Sequence, residues 1–88
     1  MALLDLLGRR WALRILWELR EGPVQFRALQ ARCDRMSSSV LTQRLAELGA
    51  AGIVAGAPDG YGLTAEGEEL LAAFAPLHDW AERWRARV

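Results

Sequence analysis

The chain has 88 residues, of which 11 are arginine and 11 are aspartate or glutamate, so its formal net charge at pH 7 is zero. This length predicts a single domain over residues 1–88 and excludes a multidomain assembly. The single cysteine excludes an internal disulfide and favours a reducing, cytoplasmic setting. The apolar run 70–77 is far shorter than the roughly 20 residues that span a bilayer, so we expect no membrane partner.

The first quarter of the chain predicts a short helical arm and a longer amphipathic helix. Residues 1–8 form the arm, and residues 9–21 form the helix. Besides its main apolar stripe, this helix carries a second apolar pair, Leu13 and Trp17, that its own small core has little room to cover. Gly22-Pro23 ends the helix because proline cannot continue one.

Residues 24–52 predict a helix-turn-helix. After a short extended piece at 24–25, a helix of about two turns leads to a tight turn at 34–36. Ser37 is a good N-cap for the next helix, which small residues end at 49–52. The apolar positions recur at helical spacing: Phe26, Leu29 and Cys33 on the first helix, and Leu41, Leu45 and Leu48 on the second.

The last part of the chain predicts a β-hairpin followed by a long helix. The strands are 53–55 and 61–63, and Pro-Asp-Gly lies in the turn between them at 56–60. Thr64 caps the final helix, which Pro76 should kink or divide. The predicted fold class is therefore mainly α with a small β-hairpin (α+β), a winged helix-turn-helix.

Three segments carry a resemblance to a known family: Leu41-Thr-Gln-Arg-Leu45, Gly52-Ile-Val54 and Leu63-Thr-Ala-Glu-Gly67. In combination, over roughly residues 8–84, the chain resembles the HxlR-type regulators, a bacterial group related to the MarR winged-helix proteins. The resemblance implies a homodimeric transcription factor, not an enzyme, that binds double-stranded DNA through its wing and through the third helix after the arm, which starts at Ser37. The chain departs from the family pattern in three ways: its net charge is zero, its wing at 55–60 has no arginine or lysine, and it has no cysteine before the first long helix.

The charge distribution favours the helix-turn-helix as the DNA-binding element. Residues 24–45 carry a net charge of +3, whereas residues 46–88 carry −4. Gln43 is the best base-reading candidate because its amide can bond adenine at two points. Arg44 lies at the edge of the groove-facing side, where it could reach a phosphate or pair with Glu47. The predicted DNA-binding residues are Arg27, Arg35, Ser37, Ser38, Ser39, Thr42, Gln43 and Arg44.

The apolar residues that exceed the needs of a small core favour a dimer. We expect the arm, the second apolar face of the first long helix and the dimerisation helix at 64–88 to build a homodimer that reads a palindromic operator. The alternative is that these side chains pack against each other within one chain. The predicted interface residues are Leu3, Leu4, Leu7, Leu13, Trp17, Phe74, Leu77, Trp80 and Trp84.

The sequence contains no pattern that indicates catalysis, a metal or another cofactor. Cys33 lies on an apolar face and is expected to be a small core residue. His78 has no second histidine or cysteine at ligand spacing. A pocket between the dimer helices could take a small apolar effector, as MarR-like relatives suggest. The alternative function is a winged-helix protein-interaction or dimerisation module with weak or no DNA binding, which the neutral wing and acidic C-terminal half favour.

Overall fold

The computed structural model describes the backbone of residues 2–88 and the side chains of residues 4–88. Within these residues it confirms the predicted winged helix-turn-helix, mainly helical with one antiparallel hairpin. The elements in chain order are α1 (Ala2–Leu7), α2 (Ala12–Glu18), α3 (Phe26–Arg32), α4 (Ser38–Ala50), β1 (Val54–Ala57), β2 (Gly60–Leu63) and α5 (Ala65–Arg87).

One apolar core lies between α2, α3, α4 and the base of the hairpin. Ile15, Leu29 and Leu41, from three different helices, have no exposed surface. Burying a side chain of this kind stabilises the fold by about 1.5–3 kcal/mol. The buried core residues are Ile15, Leu16, Leu19, Val24, Leu29, Cys33, Met36, Leu41, Leu45, Leu48, Ile53 and Val54.

The helix predicted over 9–21 is shorter than expected, and the arm before it is separate, as predicted. The helix α2 starts at Ala12 because Trp11 has a left-handed backbone conformation (φ 78°), which a continuous helix does not permit. Trp11 is half-buried against the core. Tertiary packing at this point therefore outweighs the helical periodicity of the sequence.

The hairpin is tighter than predicted. Ala57 pairs with Gly60, so the connection is only Pro58-Asp59 rather than 56–60. Val24 adds a short third piece, because its backbone exchanges two hydrogen bonds of 2.9 Å with Tyr61. Gly60 (φ 122°) lies so close to the Val24 backbone that a Cβ would collide with it. This bridge confirms the extended piece predicted at 24–25.

The helix α5 begins as predicted but is not divided at Pro76. The Thr64 hydroxyl accepts a hydrogen bond from the Gly67 amide (3.0 Å) and donates one to the Gly52 carbonyl (2.5 Å). The Thr64 amide donates to the Ile53 carbonyl (3.0 Å), which fixes the start of the helix to the core. The helix continues through Pro76 to Arg87. The carbonyl that loses its partner to proline belongs to Ala72, which is exposed, so water can satisfy it.

Candidate nucleic-acid interface

The helix α4 separates an apolar face from a polar one. Leu41 and Leu48 are completely buried, and Leu45 is 6% exposed. The polar candidates Ser39, Thr42 and Gln43 are all exposed on the rest of the helix surface. The helix therefore has a free polar face of the kind that enters a major groove.

The serine residues at the start of α4 have different tasks. The Ser37 hydroxyl accepts a hydrogen bond from the Val40 amide (3.2 Å), so it acts as the N-cap, as predicted. The hydroxyl of Ser39 lies 3.4 Å from that of Ser37. Ser38 is the first residue of the helix and is exposed. Its hydroxyl stands where the unpaired amides and the dipole of the helix attract an anion.

A two-residue left-handed turn holds α4 against α3. Asp34 and Arg35 have φ values of 58° and 56°, which places both in a region that side chains seldom adopt. The Gln30 carbonyl accepts a hydrogen bond from the Arg35 amide (2.9 Å), and the Gln30 side chain donates one to the Met36 carbonyl (2.8 Å). Gln30 therefore fixes the turn from both sides. The sequence did not identify it, because a glutamine on a two-turn helix carries no local signal for such a bond.

An open groove between α3 and the start of α4 brings three of the predicted residues together. Arg27 comes from the first turn of α3, Arg35 from the turn, and Ser38 from the first residue of α4. Phe26, Gln30 and Ala31 complete the lining. Two exposed guanidinium groups beside a helix N-terminus form a surface that can hold a phosphate.

Arg44 lies apart from this groove and is engaged elsewhere. Its Nη1 is 2.8 Å from Oε1 of Glu47, which is the pairing that the sequence offered as one of two alternatives. Its Nε donates a hydrogen bond of 2.9 Å to the carbonyl of Arg10. Only 15% of the side chain is exposed. Binding of Arg44 to DNA stays a prediction that these contacts do not favour.

A second polar cluster joins α2 to the end of α3. The Arg14 guanidinium donates to Oε2 of Glu18 (2.9 Å) and to the Arg32 carbonyl (2.6 Å), and it lies 3.6 Å from Asp34. The hydrogen bond to Glu18 raises the pKa of Arg14 above its ordinary value. The cluster fixes the end of α3 that leads into the turn. Residue spacing gave no signal for it, because Arg14 and Arg32 are 18 positions apart.

Two of the predicted interface residues contact each other within one subunit. The rings of Trp17 on α2 and Phe74 on α5 meet edge to face at 6.4 Å. The imidazole of His78 stacks on the Trp17 ring at 3.9 Å, and the Arg20 guanidinium lies 4.3 Å from the same ring. For this pair the structure shows the packing within one chain that the sequence left open. The aromatic cluster joins the middle of α5 to α2.

The other predicted interface residues differ in exposure. Leu7 and Leu13 are partly buried against the core, and the side chain of Leu3 lies outside the described residues. Leu77, Trp80 and Trp84 are 57%, 47% and 48% exposed along the second half of α5. The two indoles stack on each other with centroids 6.1 Å apart. Together with Leu4, which is 61% exposed, they are large apolar side chains without cover in the subunit.

Cys33 is a core residue, as expected from the sequence, and His78 packs in the aromatic cluster. Cys33 is completely buried, and desolvation raises the pKa of its thiol. His78 stacks on Trp17, with its ring nitrogens 3.8 Å from Asp79 and 3.7 Å from Glu82. No group of three or more His, Cys, Asp or Glu residues that could hold a metal ion occurs in the described part of the chain. None of the helices in residues 2–88 is long and apolar enough to cross a membrane.

The family model described as HxlR-like helix-turn-helix matches residues 6–88. An uncharacterized HTH-type transcriptional regulator, YvaP of Bacillus subtilis (strain 168), is 31% identical over an alignment 87 residues long. The alignment covers 91% of this chain and 81% of YvaP. Among solved structures, quinone-bound YodB from B. subtilis is 33% identical, with a TM-score of 0.84 and 93% of each chain covered. A MarR-family regulator from Enterococcus faecalis V583 is 30% identical, with a TM-score of 0.81 and with 97% of this chain and 86% of that chain covered. The protein belongs to the HxlR-like helix-turn-helix family, whose members are transcriptional regulators rather than enzymes, as the sequence predicts.

Proposed function

We propose that this transcriptional regulator acts as a homodimer that binds a palindromic or pseudo-palindromic DNA site through α4. One observation carries the proposal: the leucines of α4 fill the core, so the exposed face bearing Ser39, Thr42 and Gln43 is free for a ligand. The major groove of DNA is about 12 Å wide and admits one helix of this size. Gln43 is the residue that would read a base.

The surroundings of α4 supply the charge for phosphate contacts. Arg27, Arg35 and Ser38 line the groove beside the N-terminus of the helix. The segment 24–45 has a net charge of +3, and attraction to phosphates depends on this local field because distant charges are screened beyond about 8–10 Å. A dimer would present this segment twice.

The second half of α5 supplies the support for a homodimer. Leu77, Trp80 and Trp84 form an exposed apolar stripe, and tryptophan is enriched at the centres of protein interfaces. A second copy of the same stripe is a self-complementary partner related by a two-fold axis. To read a palindromic site, the two copies of α4 in such a dimer have to lie in successive major grooves, about 34–36 Å apart.

Selection of bound sites from a random duplex pool tests the proposal. We expect a two-fold symmetric sequence to emerge, and binding to it to weaken steeply as salt rises. Gln43→Ala should lose about 1–3 kcal/mol of discrimination at one base position per half-site. Gln25→Ala is the control, because it removes the same amide from an exposed position outside α4. This control should leave the ranking of sites unchanged.

A chain that binds no duplex at low salt would contradict the proposal. That result would favour the alternative, a winged-helix interaction module. The exposed wing turn supports this alternative, because Ala57, Pro58 and Asp59 carry no positive charge with which to hold a phosphate.

A further inference from the structure

We infer that Arg44 is a positioning residue, which ties the DNA-reading helix α4 to the segment that joins the N-terminal arm to α2 and does not itself contact phosphate. This inference rests on the proposed function and refines it. It removes Arg44 from the predicted DNA-contacting set and gives it a different task in the same process.

Two of the three guanidinium nitrogens of Arg44 donate hydrogen bonds within the subunit. Nε donates to the Arg10 carbonyl at 2.9 Å, and Nη1 donates to Oε1 of Glu47 at 2.8 Å. The other oxygen of Glu47 lies 3.5 Å from Nε of Arg9. Glu47 therefore stands between two arginines, one on α4 and one in the segment that joins the arm to α2.

The partner carbonyl lies at an irregular point of the backbone. Arg10 precedes Trp11, the left-handed residue before α2, so its carbonyl lies outside the hydrogen-bond ladder of that helix. The segment 8–11, between α1 and α2, has no regular structure of its own. The bond from Arg44 spans 34 residues and fixes this segment directly to α4.

Exposure separates Arg44 from the two arginines of the groove. Its side chain is 15% exposed, whereas Arg27 and Arg35 are exposed residues. Turning Arg44 towards a phosphate would break two charge-assisted hydrogen bonds and leave the Glu47 carboxylate, 24% exposed, with Arg9 as its remaining partner. The geometry therefore favours a fixed tie over a DNA contact.

The consequence is a physical link between the arm and DNA reading. The arm carries Leu4, an exposed residue of the predicted dimer interface. The arm is joined to this segment by backbone hydrogen bonds from the Gly8 amide to the Leu4 carbonyl (2.8 Å) and from the Arg9 amide to the Leu6 carbonyl (3.3 Å). A dimer contact on the arm would therefore also constrain segment 8–11 and, through Arg44, the middle of α4. Loss of the tie should loosen the arm and make the orientation of α4 less defined.

DNA affinity measured by fluorescence anisotropy over a range of salt concentrations separates the two roles. A phosphate contact contributes about one unit to the slope of log affinity against log salt. We therefore expect Arg27→Ala to reduce the slope by about one unit per contact. Arg44→Ala should lower affinity roughly tenfold at every salt concentration and leave the slope unchanged.

The conservative variant sharpens the distinction. In Arg44→Lys the charge remains, but an ammonium cannot reproduce the two-directional fork of a guanidinium. A phosphate contact would be largely restored by lysine, whereas the tie would not. We expect Arg44→Lys to resemble Arg44→Ala. A reduced slope in Arg44→Ala, or recovery of affinity in Arg44→Lys, would overturn the inference.

Hydrogen exchange of the full chain without DNA gives an independent reading. Amides of residues 4–11 should exchange faster in Arg44→Ala and Arg44→Gln than in the original chain or in Arg27→Ala. Residues 65–75 serve as the internal control and should not change. Uniformly faster exchange, including α5, would mean a general packing role and would contradict the inference. If the original chain bound no DNA, the proposed function would fail, while this exchange pattern would still decide whether the tie exists.

Discussion

The two helices with the clearest apolar stripes, α4 and α5, use them in opposite ways. On α4 the leucine stripe is buried in its own subunit, and the polar face is left exposed. On the second half of α5 the stripe of Leu77, Trp80 and Trp84 is itself exposed. Periodicity alone does not separate these cases, because it identifies an apolar face without identifying what covers it.

The difference arises because the contacts that hold α5 to its own subunit end near the start of the exposed stripe. The start of α5 is fixed to the core by the Thr64 cap and by Gly67, which lies against the Ile53 carbonyl. Its middle is held by the packing of Phe74 and His78 on Trp17. Beyond that point the helix has only exposed apolar and charged side chains, apart from the half-buried Ala81. We therefore expect the leucine face of α4 to be covered within the subunit, and the exposed stripe of α5 to be covered by a second copy.

The largest expected effect is on stability and comes from the buried leucine face of α4. Leu41→Ala removes a fully buried side chain from the core and should lower the free energy of unfolding by about 2–5 kcal/mol. Urea denaturation measures it. Thr42→Ala, one position along on the exposed face, is the control and should change the free energy of unfolding by less than about 0.5 kcal/mol. Equal effects at the two positions would mean that the assigned faces of α4 are wrong.

The next effect concerns the exposed stripe. Trp84→Ala should weaken the dimer by about 30-fold or more in dissociation constant, because a central tryptophan contributes about 2 kcal/mol or more to an interface. Sedimentation over a concentration series measures this change. Arg83→Ala alters the neighbouring position, also exposed, and should leave association nearly unchanged. A chain that sediments as a monomer of 9.8 kDa at micromolar concentration would contradict the dimer itself.

The smallest expected effect is a pH dependence of the free energy of unfolding, caused by the buried Cys33 thiol. Burial raises the pKa of the Cys33 thiol above the ordinary value of 9.0. The unfolded chain therefore loses this proton at lower pH than the folded chain does. The thiol's contribution to stability is complete below about pH 9 and is lost as pH rises further, by at most about 1.4 kcal/mol per pH unit.

Urea denaturation between pH 7 and pH 10.5, compared between the original chain and Cys33→Ala, measures this dependence. The stability difference between the two chains should be constant below about pH 8 and shrink above about pH 9. A difference independent of pH across the whole range would show that the thiol ionises equally in both states. In that case Cys33 would not be buried as described.

The sequence predicted those parts of the molecule whose cause is local. The N-caps Ser37 and Thr64 and the buried leucines of α4 follow from residue type and spacing, and the structure confirms them. The left-handed turn at Asp34 and Arg35 was predicted as a tight turn, although its conformation was not.

The features that escaped prediction depend on distant partners. The helix α2 begins late because Trp11 has a left-handed backbone conformation. The carbonyl of the preceding residue, Arg10, accepts a hydrogen bond from Arg44, 34 positions away. The packing of Trp17 on Phe74 was one of two alternatives, since no local pattern says which apolar faces meet. The helix α5 continues through Pro76, where the carbonyl without a partner belongs to the exposed Ala72, and the sequence alone did not show that water could reach this carbonyl.

Amide chemical shifts of the isotope-labelled protein, recorded while a selected duplex is added, show directly whether the polar face of α4 binds DNA. The largest changes should fall on residues 37–43 and on Arg27 and Arg35, whereas residues 77–84 should remain almost unchanged because a second copy of the chain covers them in the proposed dimer. Changes concentrated on residues 77–84, with residues 37–43 unaffected, would show that the polar face of α4 does not read DNA.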